Sequence, residues 1–257
     1  MLTGIDHVIV AVKDPDAAAD TLRDELGLHA GDGGRHEAHG TYNRLFWLGD
    51  SYVELMGVFD AAIAAESWWG AHIQAVINRG GGLAGVVFAA DDLDSDSVRL
   101  KAAGSSLGAP TSGERRRPDD EVVRWRSARP PEIDADMGLM FVIEHDSTSV
   151  EWSPVDRDTR AAAEAPGLGR VRLIRVELGV PDVARASMRL LRDFGIQFRP
   201  SLSGGGARDA SVGDQALRLM PQRGRRSSTV VLRAGSVPRS VEALGLHWEI
   251  VPSRLTA

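Results

Sequence analysis

Residues 5–12, Ile5-Asp6-His7-Val8-Ile9-Val10-Ala11-Val12, place Ile5, His7, Ile9 and Ala11 on one face and Val8, Val10 and Val12 on the other. This period of two over a β-branched run predicts a strand. The run leads into Asp14, an N-cap residue, and Pro15, whose fixed φ suits the first helical position. Ala18, Leu22 and Leu26 then recur at helical spacing until Gly27 stops the helix. A polar loop rich in Gly and His (31–40) precedes two strands, 42–48 and 52–59, joined by a Gly49-Asp50 turn, and a short strand is expected near 28–30. The unit reads β-α-β-β-β.

The pattern then repeats. A helix is expected over 61–79, containing Trp68-Trp69 and ended by Gly80-Gly81-Gly82. After it come a strand over 83–90, the junction Asp92-Leu93-Asp94, a helix over 95–103 and strands over 122–128 and 139–145. Asp14 and Asp92 are 78 residues apart, and the same offset carries His7 onto Gly85. A third unit starts near Val171, with a junction at Pro181-Asp182, a helix over 183–194 and strands near 210–213 and 216–220. Segments 229–233, 239–244 and 246–251 read as a truncated fourth β-α-β, since Leu26-Gly27, Phe194-Gly195 and Leu244-Gly245 echo one another as helix ends. The stretch 153–169, rich in Ala, Asp, Arg, Gly and Pro, is a linker or bridging helix. The expected fold class is therefore α+β. Residues 1–157 hold paired modules at about 4–59 and 83–152, and residues 170–257 hold a degenerate pair.

Composition narrows the function. At 257 residues and 43% hydrophobic content the chain can bury a large core, and a net charge of −6 gives no broad basic field for nucleic acid or an anionic membrane. The clusters Arg115-Arg116-Arg117 and Arg223, Arg225, Arg226 sit among Gly, Ser and Pro and read mainly as solvated loops. Without cysteine there is no disulfide or thiolate chemistry. No secretory leader or membrane-spanning run is evident, so the expected address is cytoplasmic. Arginine is abundant beside only Lys13 and Lys101, a usage that suits a high-GC bacterial genome.

The ordered set Asp6-His7-Val8, 40–45, 48–55, Val123-Arg124-Trp125 and Met140-Phe141-Val142-Ile143-Glu144 resembles the vicinal oxygen chelate superfamily, most closely its glyoxalase-like domain group. The resemblance covers about residues 4–150 and implies two modules whose curved mixed sheets form a cup. It also implies metal ligands from the first and fourth strands of each module: His7 and Glu54, then Glu144, with Gly85 in the remaining slot. Such an N,O,O set would hold a divalent ion (Zn, Mn, Fe or Ni) with open positions for a bidentate oxygen substrate, the metal acting as Lewis acid. Glu144 is the candidate catalytic carboxylate. Extradiol dioxygenase chemistry is disfavoured because the second histidine position is Gly85.

Each residue has a plainer reading. His7 alone could be a hydrogen-bonded, half-buried strand residue, and Glu54 could lie on an exposed strand face. If buried among Val53 and Leu55, its carboxylate must be paired or coordinated. Glu144 competes with His145, because a strand sends neighbours to opposite faces; the alignment of strands favours Glu144. Asn43, Arg124 and Trp125 are candidate substrate contacts, with Arg124 and Arg126 sharing a face that could clamp a carboxylate or phosphate or simply be solvated. His39 and Thr41 could line the mouth of the cup, and Trp68 and Trp69 read as core anchors. Two functions remain open. One is a metal-dependent isomerase, lyase or epimerase acting on a small oxygen-bearing metabolite; the other is a metal-free small-molecule-binding protein of the bleomycin-resistance type. Either way the expected partner is a small molecule, with the chain a monomer or homodimer.

Overall fold

A computed structural model describes residues 2–222, 228–235 and 237–253. The Arg223, Arg225, Arg226 cluster lies outside the described residues. The first module comprises β1 (Gly4–Ala11), α1 (Pro15–Leu26), β2 (Gly31–His36), β3 (Thr41–Leu48) and β4 (Ser51–Val58). Helices α2 (Ala61–Glu66) and α3 (Trp68–Asn78) lead to the second module: β5 (Gly82–Ala89), α4 (Leu93–Ala102), β6 (Thr111–Arg116), β7 (Val122–Ala128) and β8 (Leu139–His145). After α5 (Pro154–Ala162) come β9 (Arg172–Val180), α6 (Val183–Phe194), β10 (Arg199–Pro200), β11 (Arg208–Val212), β12 (Gln215–Pro221), β13 (Thr229–Arg233), β14 (Arg239–Ala243) and β15 (Leu246–Val251). The fold is α+β with repeated β-α-β-β-β units. Among the described residues no helix is long and apolar enough to cross a membrane.

The strand-to-Asp-to-helix junction recurs for a local reason. Asp14, Asp92 and Asp182 each cap a helix by accepting from its first free backbone amides, and Gly27 and Gly195 close α1 and α6 at φ of 75° and 69°. The expected single helix over 61–79 is instead two. Ser67 is extended (φ −102°, ψ 132°), and its hydroxyl accepts from the amide of Gly70, capping α3 where α2 ends.

Strands β1 to β8 form a closed barrel in the order β1-β4-β3-β2-β6-β7-β8-β5. β1 runs parallel to β4 and antiparallel to β5, which runs parallel to β8. The same logic is repeated by β9 with β12 and β13, and by β13 with β15, but those strands form an open seven-stranded sheet. The barrel closes where β2 meets β6 at Arg35 and Arg116. β2 lies later than the expected 28–30, within the expected polar loop. Its glycines let it approach both neighbours: a Cβ at Gly33 would stand 1.7 Å from the Asn43 carbonyl oxygen, and one at Gly34 2.3 Å from that of Arg116. The fourth unit also departs from expectation, because 239–243 is strand rather than helix. Leu244 and Gly245, both at positive φ (54° and 73°), make a tight β14–β15 hairpin turn instead of a helix end.

Alternation along each barrel strand separates two environments. Outward residues of β1, β4, β5 and β8 join α1, α4, α6 and the inner face of the open sheet in one core, including Val8, Val10, Leu55, Phe88, Val142, Leu217 and Trp248. Gln215 anchors the sheet to the barrel through the Ile5 amide (2.6 Å) and the Ser51 hydroxyl (2.7 Å). Inward residues form a second cluster with Ile9, Met56, Val87, Phe141 and Ile143, closed at one end by Trp69 and Ile73 of α3. The polar residues of the barrel interior stand beside this cluster.

Candidate functional site

His7 and Tyr52 pair across β1 and β4, as do Ile9 and Glu54, so His7, Tyr52 and Glu54 all project inward. Burial is nearly complete: 1% exposure for His7 and 3% for Glu54. The Asn43 amide on β3 donates to Glu54 Oε1 (2.5 Å), and His7 Nε2 stands 3.5 Å from Glu54 Oε2. Neither His7 Nε2 nor Glu54 Oε2 has a hydrogen-bond partner. His36, at the end of β2, brings Nε2 to 3.9 Å from Glu54 Oε1.

Asp6 organises the histidines from behind. At the β1 bulge its carboxylate lies 2.5 Å from His7 Nδ1 and 3.0 Å from His145 Nε2. Burial opposes ionisation, but His145 and then His7 outweigh it and hold the Asp6 carboxyl well below the usual carboxylate range. An ionised carboxylate only accepts hydrogen bonds, so both rings present N–H to it. His7 Nε2 is thereby turned toward Glu54. Burial pushes Glu54 upward, with His7 and Asn43 partly offsetting it, and pushes His36 and His145 downward, Asp6 opposing the shift of His145. The Tyr52 ring stacks on His7 at 4.4 Å, and burial raises its hydroxyl far above its ordinary value.

The cavity around this pair is narrow, about 20 Å³, room for about one water. Trp125, Arg115 and His145 line it from the second module, and Glu151 and Trp152 from the segment that follows β8. Arg115 thus corrects the reading of 115–117 as solvated loop: it is buried on β6, while Arg116 is exposed.

The expected ligand set does not assemble. Glu144 points out of the barrel toward α4, where its Oε2 accepts from the Leu93 amide (3.4 Å) and lies 3.8 Å from Arg126. The register accounts for the placement of Glu144: Ile9 pairs with Glu54, and its counterpart Val87 pairs with Phe141, so the position equivalent to Glu54 is Phe141. Glu144, three residues on, falls on the opposite face, and His145 faces inward. The other half-site cannot be restored at Gly85, since a Cβ there would stand 2.5 Å from the Leu139 carbonyl oxygen. Among the described residues no three His, Asp or Glu side chains converge as a metal-binding group. His7 and Glu54 thus stand together without Glu144. Arg124 is likewise outside, 3.7 Å from Glu114 and exposed, whereas Asn43 and Trp125 are inside.

Asp6, His36, Arg115 and Glu151 take their places in the site only through the fold. His145 had a usable signal, the alternation through Ile143; Arg115 and Glu151 lie in polar stretches with no periodic signal.

No curated protein matches the chain. Among solved structures, a hypothetical protein from Staphylococcus aureus is similar over 97% of this chain and 99% of its own, at TM-score 0.78 and 16% identity, a likeness of fold. Methylmalonyl-CoA epimerase from Mycobacterium tuberculosis is similar over 56% of this chain and 88% of its own, at 26% identity and TM-score 0.42. A methylmalonyl-CoA epimerase in complex with methylmalonyl-CoA and NH4+ matches over 58% and 99% at 20% identity and TM-score 0.43. Residues 5–194 match the family described as Glyoxalase-like domain. With that match spanning most of its length and a barrel of paired β-α-β-β-β modules, the chain belongs to the glyoxalase-like domain family of the vicinal oxygen chelate superfamily.

Proposed function

We propose that the barrel catalyses proton transfer at a carbon next to a carbonyl group in a small oxygen-bearing metabolite, a reaction of the isomerase or epimerase type. The observation that carries this reading is the buried pair His7 Nε2 and Glu54 Oε2, 3.5 Å apart and both without a partner, with the far side of His7 held by Asp6. A carboxylate pushed upward by burial is a better base near neutral pH. Glu54 would take the proton from carbon, and the electron pair would move onto the carbonyl oxygen as an enolate. The protonated Glu54 would then return the proton to the neighbouring carbon, giving the isomerised product with no net change of oxidation state; in epimerisation a second acid would supply a proton from the opposite face. Asn43 fixes the carboxylate, and the aromatic walls exclude water. In this reading residues 1–157 carry the chemistry and residues 170–257 brace the barrel.

A second reading is favoured by the walls themselves. Trp47, Tyr52, Trp69, Trp125 and Trp152 line the cavity and could hold an apolar ligand without chemistry. Proton NMR in D2O over a panel of small 2-oxo and 2-hydroxy acids and aldehydes separates the two. Exchange of a carbon-bound proton is expected with wild type and should fall about a hundredfold or more in Glu54→Gln. Binding without exchange would leave the aromatic cup. A stoichiometric divalent ion, lost from both His7→Ala and Glu54→Ala, would mean that the pair serves as metal ligands rather than as a catalytic base and its neighbour.

A further inference from the structure

Segment 146–153, between β8 and α5, closes the cavity with two adjacent side chains. Trp152 lies flat on His145, ring centroids 3.4 Å apart at 7°, and the Arg160 guanidinium of α5 covers it at 5.0 Å. Glu151 turns into the barrel. Its Oε2 accepts from Arg115 (2.6 Å), and its Oε1 pairs with Arg117. Glu151 and Arg115 are 8% and 5% exposed, and Glu151 holds this place at φ 78°, a region costly for a side chain of its kind.

Arg115 belongs to the barrel wall, since its other terminal nitrogen donates to the Gly33 carbonyl (2.6 Å). Its charge reaches Glu54 and the neighbouring His36, being among the influences that favour the ionised form of the first and the neutral form of the second. Only about one water fits with the segment in place, so a substrate needs lining residues to move; apart from Trp69 of α3, Glu151 and Trp152 are the lining residues that do not belong to barrel strands. Their withdrawal would leave the Arg115 guanidinium buried without a counter-ion, a costly state.

We propose that Glu151 occupies the seat of a substrate carboxylate, and that Arg115, assisted by Arg117, is the anion subsite of the enzyme. This deepens the proposed proton transfer by assigning its substrate class: a small organic acid whose carboxylate docks on Arg115 while its reacting carbon faces Glu54 and His7. One terminal nitrogen of Arg115 is held by the Gly33 carbonyl and the other donates to Glu151, so a substrate carboxylate in that seat would bridge Arg115 and Arg117 with its two oxygens, as Glu151 does. Segment 146–153 is then the door that the incoming acid displaces.

The test uses malonate, with the neutral, similarly shaped malonamide as control, in calorimetric titrations of the full chain. Glu151→Gln removes the internal competitor and is expected to bind malonate at least tenfold more tightly than wild type. Adding Arg115→Gln to that variant should abolish the gain, and malonamide should bind none of the proteins better. Glu151→Asp, which keeps the charge but draws it back by one methylene, should gain less than Glu151→Gln and serves if that variant does not fold. Tryptophan emission of wild type should shift with malonate, and the shift should shrink in Trp152→Phe. Equal malonate binding by wild type, Glu151→Gln and Glu151→Asp, or a gain surviving Arg115→Gln, would overturn the subsite. Malonate binding as expected without carbon-proton exchange on any acid removes the proposed chemistry alone; exchange confined to uncharged carbonyl compounds removes the subsite alone.

Discussion

Asp6→Asn tests the internal logic of the site most directly. In the native protein one buried carboxylate accepts from two imidazoles, at 2.5 Å from His7 and 3.0 Å from His145. Asparagine keeps the shape but has one acceptor oxygen, and its amide nitrogen is itself a donor. With its oxygen at the Oδ1 position the side chain can still accept from His7 (2.5 Å) and His145 (3.2 Å), but its nitrogen then faces the His145 N–H across 3.0 Å; in the flipped orientation His7 meets the nitrogen and must move its proton to the far side of the ring. Each charge-assisted bond is worth roughly 1.5–3 kcal/mol, and part of the loss is offset because no charge remains to be buried. The expected net loss is about 2–4 kcal/mol by urea unfolding. If His7 is the ring that changes tautomer, its proton appears on Nε2, opposite Glu54 Oε2 at 3.5 Å. Long-range nitrogen–proton NMR of the imidazoles would report this directly, and proton-transfer activity should fall in parallel. Stability within about 0.5 kcal/mol of wild type, with both tautomers unchanged, would refute the view that Asp6 orients the pair.

Three further outcomes are expected. Burial keeps His36 and His145 protonated less readily than in the unfolded chain, so their contribution is fully present above about pH 6.5 and is lost as pH falls toward their depressed folded values. The unfolding free energy from urea titrations should therefore drop below about pH 6.5, by up to roughly 1.4 kcal/mol per pH unit for each ring, and His36→Gln should flatten the curve; a profile unchanged by that substitution would contradict the assignment. Glu54→Gln should leave stability at neutral pH unchanged or raise it by up to about 2 kcal/mol, because the raised carboxyl is destabilised when ionised and glutamine can still accept from Asn43; a loss beyond about 1 kcal/mol would count against the burial argument. Ile9→Ala, at a fully buried position of the interior cluster, should cost roughly 2–5 kcal/mol in the same assay, and a near-neutral result would mean that the cluster collapses around the gap.

The linear pattern by itself determined the elements governed by neighbours in sequence. Period-two runs made β1, β4, β5 and β8, and the aspartates at 14, 92 and 182 fixed the helix starts, because capping and alternation act within a few residues. The same locality put His7 and Glu54 on inward faces and raised the need for a buried carboxylate to find a partner. Where two local meanings share one signal, the sequence could not choose: Leu244-Gly245 is a hairpin turn although Leu26-Gly27 is a helix end, and the glycines near 31–34 make a barrel strand rather than a loop. Tertiary structure alone decided the register of the second module. It is set by pairing β5 with β8 across about fifty intervening residues, and it exchanged Glu144 for Phe141 at the ligand position and brought His145 inward. It also buried Arg115 against Glu151, two residues 36 positions apart in polar stretches that carry no periodicity. Long-range pairing holds such charges together, and no local pattern records it.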